Sequence, residues 1–83
     1  MNLTKRQLTE VRELRKTIGA RIHYLRMQKR ETLHHLSHIT GISSDKIDQY
    51  ELGKNEISIE ALLKLACGLD LEVGEFFLTV INT

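Results

Sequence analysis

One short segment contains imidazole, hydroxyl, carboxylate and carboxamide side chains: residues 32–52, TLHHLSHITGISSDKIDQYEL. His34 and His38 are four residues apart, so one helix face could supply two metal ligands, with His35 beside them. Although carboxylates occur in and beside this segment, the sequence places no cysteine or carboxylate obviously where it would complete that site, and we predict no metal and no cofactor. The chain has no glycine-rich phosphate loop and no Ser/His/Asp or Cys/His pairing expected to share a cleft. We therefore predict that the protein is not an enzyme and that its chemistry is hydrogen bonding.

The same segment has the pattern of two short helices joined by a turn. Thr32 is a suitable N-cap for the first helix. Leu33, Leu36 and Ile39 then recur at helical spacing. Gly41 provides the backbone freedom that stops this helix and redirects the chain.

The second helix would begin at Ser43 or Ser44, either of which can cap it. Ile47 and Tyr50 lie three residues apart and would share its buried face. The outward face would then carry four polar side chains: Ser44, Asp45, Asp48 and Gln49. We predict a helix-turn-helix whose outward face reads DNA.

The elements before this segment form one long apolar stripe: Leu8, Val11, Leu14, Ile18, Ile22 and Leu25. Either a single helix runs from about Thr4 to Lys29, or two helices break near Thr17 and Gly19. The unbroken stripe favours continuity or a mild kink. Because a small core cannot cover so long a stripe, the part before Ile18 is expected to pack on a second copy of the chain. The alternative is a loosely docked arm.

After the helix-turn-helix, Ser58 is predicted to cap another amphipathic helix, and a short helix should run through Phe77. Residues 78–81, three of which are β-branched, could pair as an edge strand with a symmetry mate. The only cysteine, Cys67, is expected at a half-buried helix position and fits a reducing compartment.

The composition indicates one small, all-α domain: 83 residues, no proline and few aromatic side chains. No apolar run is long enough to cross a membrane, and a cytoplasmic location is the expectation. The net charge of +1 conceals an asymmetry. Residues 1–30 carry nine Lys or Arg against two Glu, whereas residues 31–83 carry three Lys against nine Asp or Glu. A basic half can face DNA phosphates, although it could equally be a solvated helix face or be neutralised by the acidic half.

Residues 18–77 resemble the Cro/CI-type (XRE-like) helix-turn-helix domain of phage repressors and small bacterial regulators. The blocks IGARIHYLR, LSHITGIS, KIDQYELGK, IEALLKLACGLDL and EFF follow the family's order and spacing without a gap. The resemblance implies an all-α, five-helix, lambda-repressor-like bundle over residues 18–77. Residues 1–17 would be a basic helical extension, either continuous with the first core helix or separate from it. Residues 78–83 would be a short tail that could form a dimer strand.

The resemblance also implies a core and a partly buried ion pair. Arg26 and Glu51 match the positions of a pair that ties the first helix to the end of the recognition helix. The implied core residues are Leu36, Ser37, Ile42, Ile47, Tyr50, Leu62, Leu65, Ala66 and Leu69, with Ser37 replacing the family's usual Ala.

Roles at a DNA interface follow from the same resemblance. Base-reading candidates are Ser43, Ser44, Asp45 and Gln49, and their flanking residues are Lys46 and Asp48. Phosphate contacts are implied for Thr32, Lys54, Asn55 and the amide groups that begin at Leu33.

Three departures from the family pattern affect this interface. The family commonly has a Gln at Leu33, where it braces a phosphate and a recognition residue. Asp45 and Asp48 stand where polar or basic residues are more usual, and their charges oppose approach to phosphates. Ile57 replaces a common Pro.

We therefore expect a homodimeric repressor that binds an inverted repeat in double-stranded DNA. The alternative is a protein-interaction module, such as an adaptor or antitoxin-like partner, that uses the acidic face to hold another protein.

Overall fold

Four α-helices and one short 3₁₀ helix make up the computed structural model, which describes residues 2–78. The α-helices are α1 (Lys5–Gln28), α2 (Leu33–Thr40), α3 (Ser44–Glu51) and α4 (Ile59–Gly68). The 3₁₀ helix spans Val73–Phe77. The all-α class is confirmed. The short helix predicted to run through Phe77 is present as a 3₁₀ helix, so the described residues contain four α-helices rather than five. Beyond residue 78, the predicted C-terminal strand lies outside the described residues.

The first helix, α1, is continuous through the two residues where a break was considered. It begins with a capping box, in which the Gln7 amide N–H donates to Thr4 Oγ1 at 3.1 Å and the Thr4 amide donates to Gln7 Oε1 at 2.9 Å. Thr17 does not cap a new helix, since its hydroxyl donates to the carbonyl of Glu13 at 2.9 Å. The basic N-terminal turns and the first core segment therefore form one rod.

Gly19 lies where α1 crosses the end of α3. A Cβ atom built on Gly19 would be 2.2 Å from the carbonyl oxygen of Tyr50 and 2.8 Å from that of Glu51. Both of these atoms belong to backbone, so the neighbour cannot simply rotate away. Glycine is needed here for close helix packing, although the sequence presented it only as a weak point in a helix.

The core lies between α1, α3, α4 and the 3₁₀ helix, with α2 packed on α3 and α4. Of the core residues implied by the resemblance, Ser37 and Ile42 are only half-buried. The others are buried: Leu36, Ile47, Tyr50, Leu62, Leu65, Ala66 and Leu69. The first helix adds Ile18, Ile22 and Leu25, and the 3₁₀ helix adds Phe76.

The predicted half-buried position of Cys67 is wrong, because its side chain is exposed. The buried face of α4 carries Leu62, Leu65 and Ala66. Cys67 falls one turn after Leu63, on the opposite face, where Leu63 is 53% exposed.

Candidate nucleic-acid interface

The turn between α2 and α3 is built from one left-handed glycine and one serine cap. Gly41 has φ of 76° and donates its amide proton to the carbonyl of Ser37 at 2.8 Å. Ser43 is the cap of α3, since its Oγ accepts from the amide of Lys46 at 3.2 Å. The Ser43 hydroxyl proton remains free to donate outward, and Ser44 begins the helix itself.

The outward face of α3 is polar and lies opposite an inner face that carries Ile47, Tyr50 and the ion-paired Glu51. Ile47 and Tyr50 are buried beneath it. The exposed side chains are Asp45, Lys46, Asp48 and Gln49, with Ser43 exposed and Ser44 half-buried at the N-terminal end. A helix presented in this way can place several side chains on the base edges of a major groove.

The two carboxylates of this face have local structural reasons to be there. Asp45 lies in the first turn of α3, where the helix dipole favours a negative charge. Asp48 is close enough to Arg26 for its charge to raise the pKa of that guanidinium. Part of the repulsion that these residues would exert on phosphates is therefore offset within the protein.

The start of α2 offers a hydroxyl and the end of a helix. Thr32 caps α2 by accepting from the amide of His35 at 3.0 Å, which leaves its hydroxyl proton available. The first amide groups of an α-helix lack partners within the helix and favour anions. The Leu33 side chain is half-buried against the core, so this position can offer a phosphate only its backbone.

The loop after α3 turns back onto the helix. Gly53, with φ of 71°, donates to the carbonyl of Tyr50 at 3.0 Å, and Lys54 donates to that of Gln49 at 2.9 Å. This pair of bonds is a Schellman motif. It leaves Lys54 exposed and places the Asn55 side chain against Gln49, where Asn55 Nδ2 donates to Gln49 Oε1.

Arg26 and Glu51 form a bidentate ion pair between α1 and the last residue of α3. Arg26 Nε donates to Glu51 Oε2 at 2.6 Å, and Nη2 donates to Oε1 at 3.0 Å. Their side chains are 9% and 4% exposed. Nη1 also donates to the carbonyl of Glu31 at 2.7 Å, which fixes the chain between α1 and α2. The hydrogen bonds to Glu51 raise the pKa of Arg26 above its ordinary value and outweigh the opposing effect of burial.

Two further contacts were not anticipated from the sequence. His23 Nδ1 lies 2.7 Å from Glu51 Oε1, within hydrogen-bonding distance of the same carboxylate. Arg21 Nε donates to the carbonyl of Glu75 at 3.0 Å and ties the 3₁₀ helix to α1. His23 and Arg26 are three residues apart and therefore lie on one face of α1. This spacing could have predicted that the partner of Arg26 also lies close to His23.

The histidines of α2 do not assemble with other ligands. Among residues 2–78, no three His, Cys, Asp or Glu side chains converge in a way that could hold a metal ion. His35 instead lies against the carboxylate of Glu31. His34 and His38 are exposed. The same described residues include no helix with the length and apolar character needed to cross a bilayer.

Solved structures with the same arrangement settle the family. The chain is 30% identical to the restriction-modification controller protein C.AhdI from Aeromonas hydrophila, covering 76% of this chain and 96% of that one with a TM-score of 0.74. The chain belongs to the Cro/CI-type helix-turn-helix family. It is also 26% identical to the clp gene regulator ClgR from Corynebacterium glutamicum, covering 83% of this chain and 90% of that one with a TM-score of 0.78. No protein-family model and no curated protein matches the chain.

Membership of the Cro/CI-type family confirms the resemblance and the predicted absence of enzymatic activity, since both structural neighbours are regulators. α2 and α3 thus form the helix-turn-helix, with α3 at the position of the family's recognition helix. Ile57, which replaces the common Pro of this family, is half-buried and packs on the core.

Proposed function

We propose that this protein is a sequence-specific regulator of transcription that binds double-stranded DNA as a homodimer and represses by occupying an inverted-repeat operator. The observation that carries the proposal is the polar outer face of α3, held by buried Ile47 and Tyr50 on a bundle like those of two known regulators. Such a protein would act in the cytoplasm and needs no chemistry of its own.

Base reading on this face would come from four side chains with different hydrogen-bonding abilities: Ser43, Ser44, Asp45 and Gln49. Gln49 can both donate to and accept from adenine, the serine hydroxyls can serve either base class, and Asp45 can only accept, as from a cytosine amino group. Two-fold symmetry would set the two recognition helices about 34 Å apart, one turn of DNA.

Phosphate binding would come from Thr32, Lys54, Asn55 and the start of α2, with Lys46 adding positive charge beside Asp48. The extension over residues 1–17 would add long-range attraction, since it carries five Lys or Arg against two Glu. Affinity should therefore fall steeply with salt.

Replacing Gln49 and Lys54 separately should distinguish base reading from phosphate binding. Gln49→Ala is expected to remove about 1–3 kcal/mol of discrimination at one base pair. Lys54→Ala is expected to weaken binding to all sequences alike and to reduce the salt slope by about one. Fluorescence anisotropy at several salt concentrations, on a selected duplex and a random duplex, measures both effects. Equal losses for both variants on both duplexes would show that Gln49 does not read a base.

The exposed carboxylates Asp45 and Asp48 are the feature that favours the alternative function, binding of a protein partner. A groove binder must be retained on random duplex DNA at low salt, whereas an acidic protein-binding module need not be. Selection of bound duplexes from a random pool should return one enriched sequence. An empty selection at low salt would favour a protein partner.

Dimerisation is expected to involve the N-terminal turns of α1, where Leu8 is 42% exposed and Leu14 is 43% exposed. Leu8→Asp should therefore convert the dimer to a monomer in sedimentation equilibrium, with the helical circular dichroism unchanged. Leu63→Asp, on the exposed face of α4, is the matched control and should leave the dimer intact. If only Leu63→Asp dissociates the dimer, the interface lies on α4 and not on the N-terminal turns of α1.

A further inference from the structure

Gln49 is held by a side chain from the loop that follows its own helix. Asn55 Nδ2 donates to Gln49 Oε1, and the Schellman bonds of Gly53 and Lys54 keep this loop against the end of α3. Asn55 is half-buried, whereas Gln49 is exposed. The contact therefore joins a half-buried residue to one that faces outward.

This hydrogen bond determines which end of the Gln49 amide faces outward. Because Oε1 already accepts from Asn55, the Nε2 group is the end that is presented, with its two donors. Purines place the acceptor N7 in the major groove, and Oε1 retains a second lone pair for the amino group of adenine. The bond also restricts a long side chain that would otherwise lose rotamer freedom on binding.

We propose that Asn55 is the positioning residue for base reading by Gln49 and that it makes a purine the preferred base at that position. It would supply the bracing that Leu33 cannot provide, because Leu33 has no polar group and lies half-buried against the core. The inference rests on the proposed function, since Gln49 must contact a base.

A double-mutant cycle tests whether Asn55 acts through Gln49. Asn55→Ala should weaken binding to the selected duplex about 2- to 10-fold, as expected for freeing one polar side chain, and should relax the same base pair as Gln49→Ala. In the Gln49→Ala background, Asn55→Ala should then have no further effect. Equal losses in both backgrounds and on random DNA would overturn the inference and assign Asn55 to phosphate binding alone.

Asn55→Asp is expected to change which base is preferred, and loss of structure alone would not produce that change. The introduced carboxylate can only accept, so it should turn the Gln49 amide over and present Oε1 outward. Duplex selection should then shift preference at that position towards a base that offers an amino donor. The added negative charge should weaken all duplexes, and the readout is therefore the ratio between bases. An unchanged ratio would contradict the inference.

The outcomes separate the two proposals. If the wild-type protein fails to bind any duplex at low salt, the proposed function itself is wrong. If it binds, and only Gln49→Ala alters base preference, the regulator stands and the role of Asn55 is refuted. If Gln49→Ala leaves every base preference unchanged, Gln49 is not a reader and the inference fails with it. Urea denaturation of each variant verifies that it is folded.

Discussion

Glu51→Ala is expected to lower the free energy of unfolding by about 3–5 kcal/mol, because it leaves the buried guanidinium of Arg26 without its counter-charge. Small domains have only about 5–15 kcal/mol of stability in total. The variant should therefore be partly unfolded under mild conditions. Urea denaturation followed by helical circular dichroism measures the change as a shift in midpoint.

Two controls distinguish a buried charge from a lost contact. Replacing both partners with apolar residues, as Arg26→Met with Glu51→Leu, should recover much of the stability lost by Glu51→Ala. Glu10→Ala should have little effect, since its partner Arg6 is 90% exposed and exposed pairs contribute about 0–1 kcal/mol. A Glu51→Ala variant as stable as Glu10→Ala would rule out a stabilising role for the buried pair.

The pH dependence of this pair follows from the raised pKa of Arg26. A raised folded-state pKa means that the stabilisation is complete below the ordinary arginine pKa and is lost only as the pH rises through the folded value. The guanidinium consequently remains charged throughout the neutral range.

Gly19→Ala is expected to destabilise the protein, although alanine is the better helix former by about 1 kcal/mol. The added methyl would overlap the carbonyl oxygens of Tyr50 and Glu51, so α1 and α3 must separate. Overpacking of this kind costs about 1–3 kcal/mol or more, and a 2.2 Å approach to backbone places Gly19 at the upper end. The net loss should be about 2 kcal/mol, read from the urea midpoint.

Gly74→Ala is the matched control, since a Cβ atom added at Gly74 would meet no atom within 4 Å outside that residue and its chain neighbours. It should leave the urea midpoint almost unchanged. If Gly19→Ala proved neutral or stabilising, the close crossing of α1 and α3 would be incorrect.

Local patterns predicted the parts of the fold that depend on neighbours in sequence. The caps at Thr32 and Ser58, and the glycine turn at Gly41, follow from short-range hydrogen bonding and backbone freedom. The role of Gly19 could not be obtained in this way. It depends on the distance to Glu51, thirty-two positions later, and low helix propensity carries no information about that distance.

The sequence indicated that Asp45, Asp48 and Gln49 face outward from α3, but it did not indicate which side chains contact them. Asn55 was expected to bind a phosphate, whereas its contact with Gln49 arises only when the loop closes through Gly53. The position of Cys67 was predicted wrongly for a different reason. A small residue in an apolar stretch gives only a weak indication of which helix face it occupies, and Cys67 is exposed.

Because α1 is unbroken, a small change in its tilt produces a large displacement at its far end. Its 24 residues give a rod about 36 Å long, anchored on α3 near its middle and end by Gly19 and Arg26. A tilt of about 10° about one end would move the other by about 6 Å, roughly one turn of helix. Whatever holds the exposed turns of α1 before Arg15 would therefore set the orientation of α3, with no change in the shape of either helix.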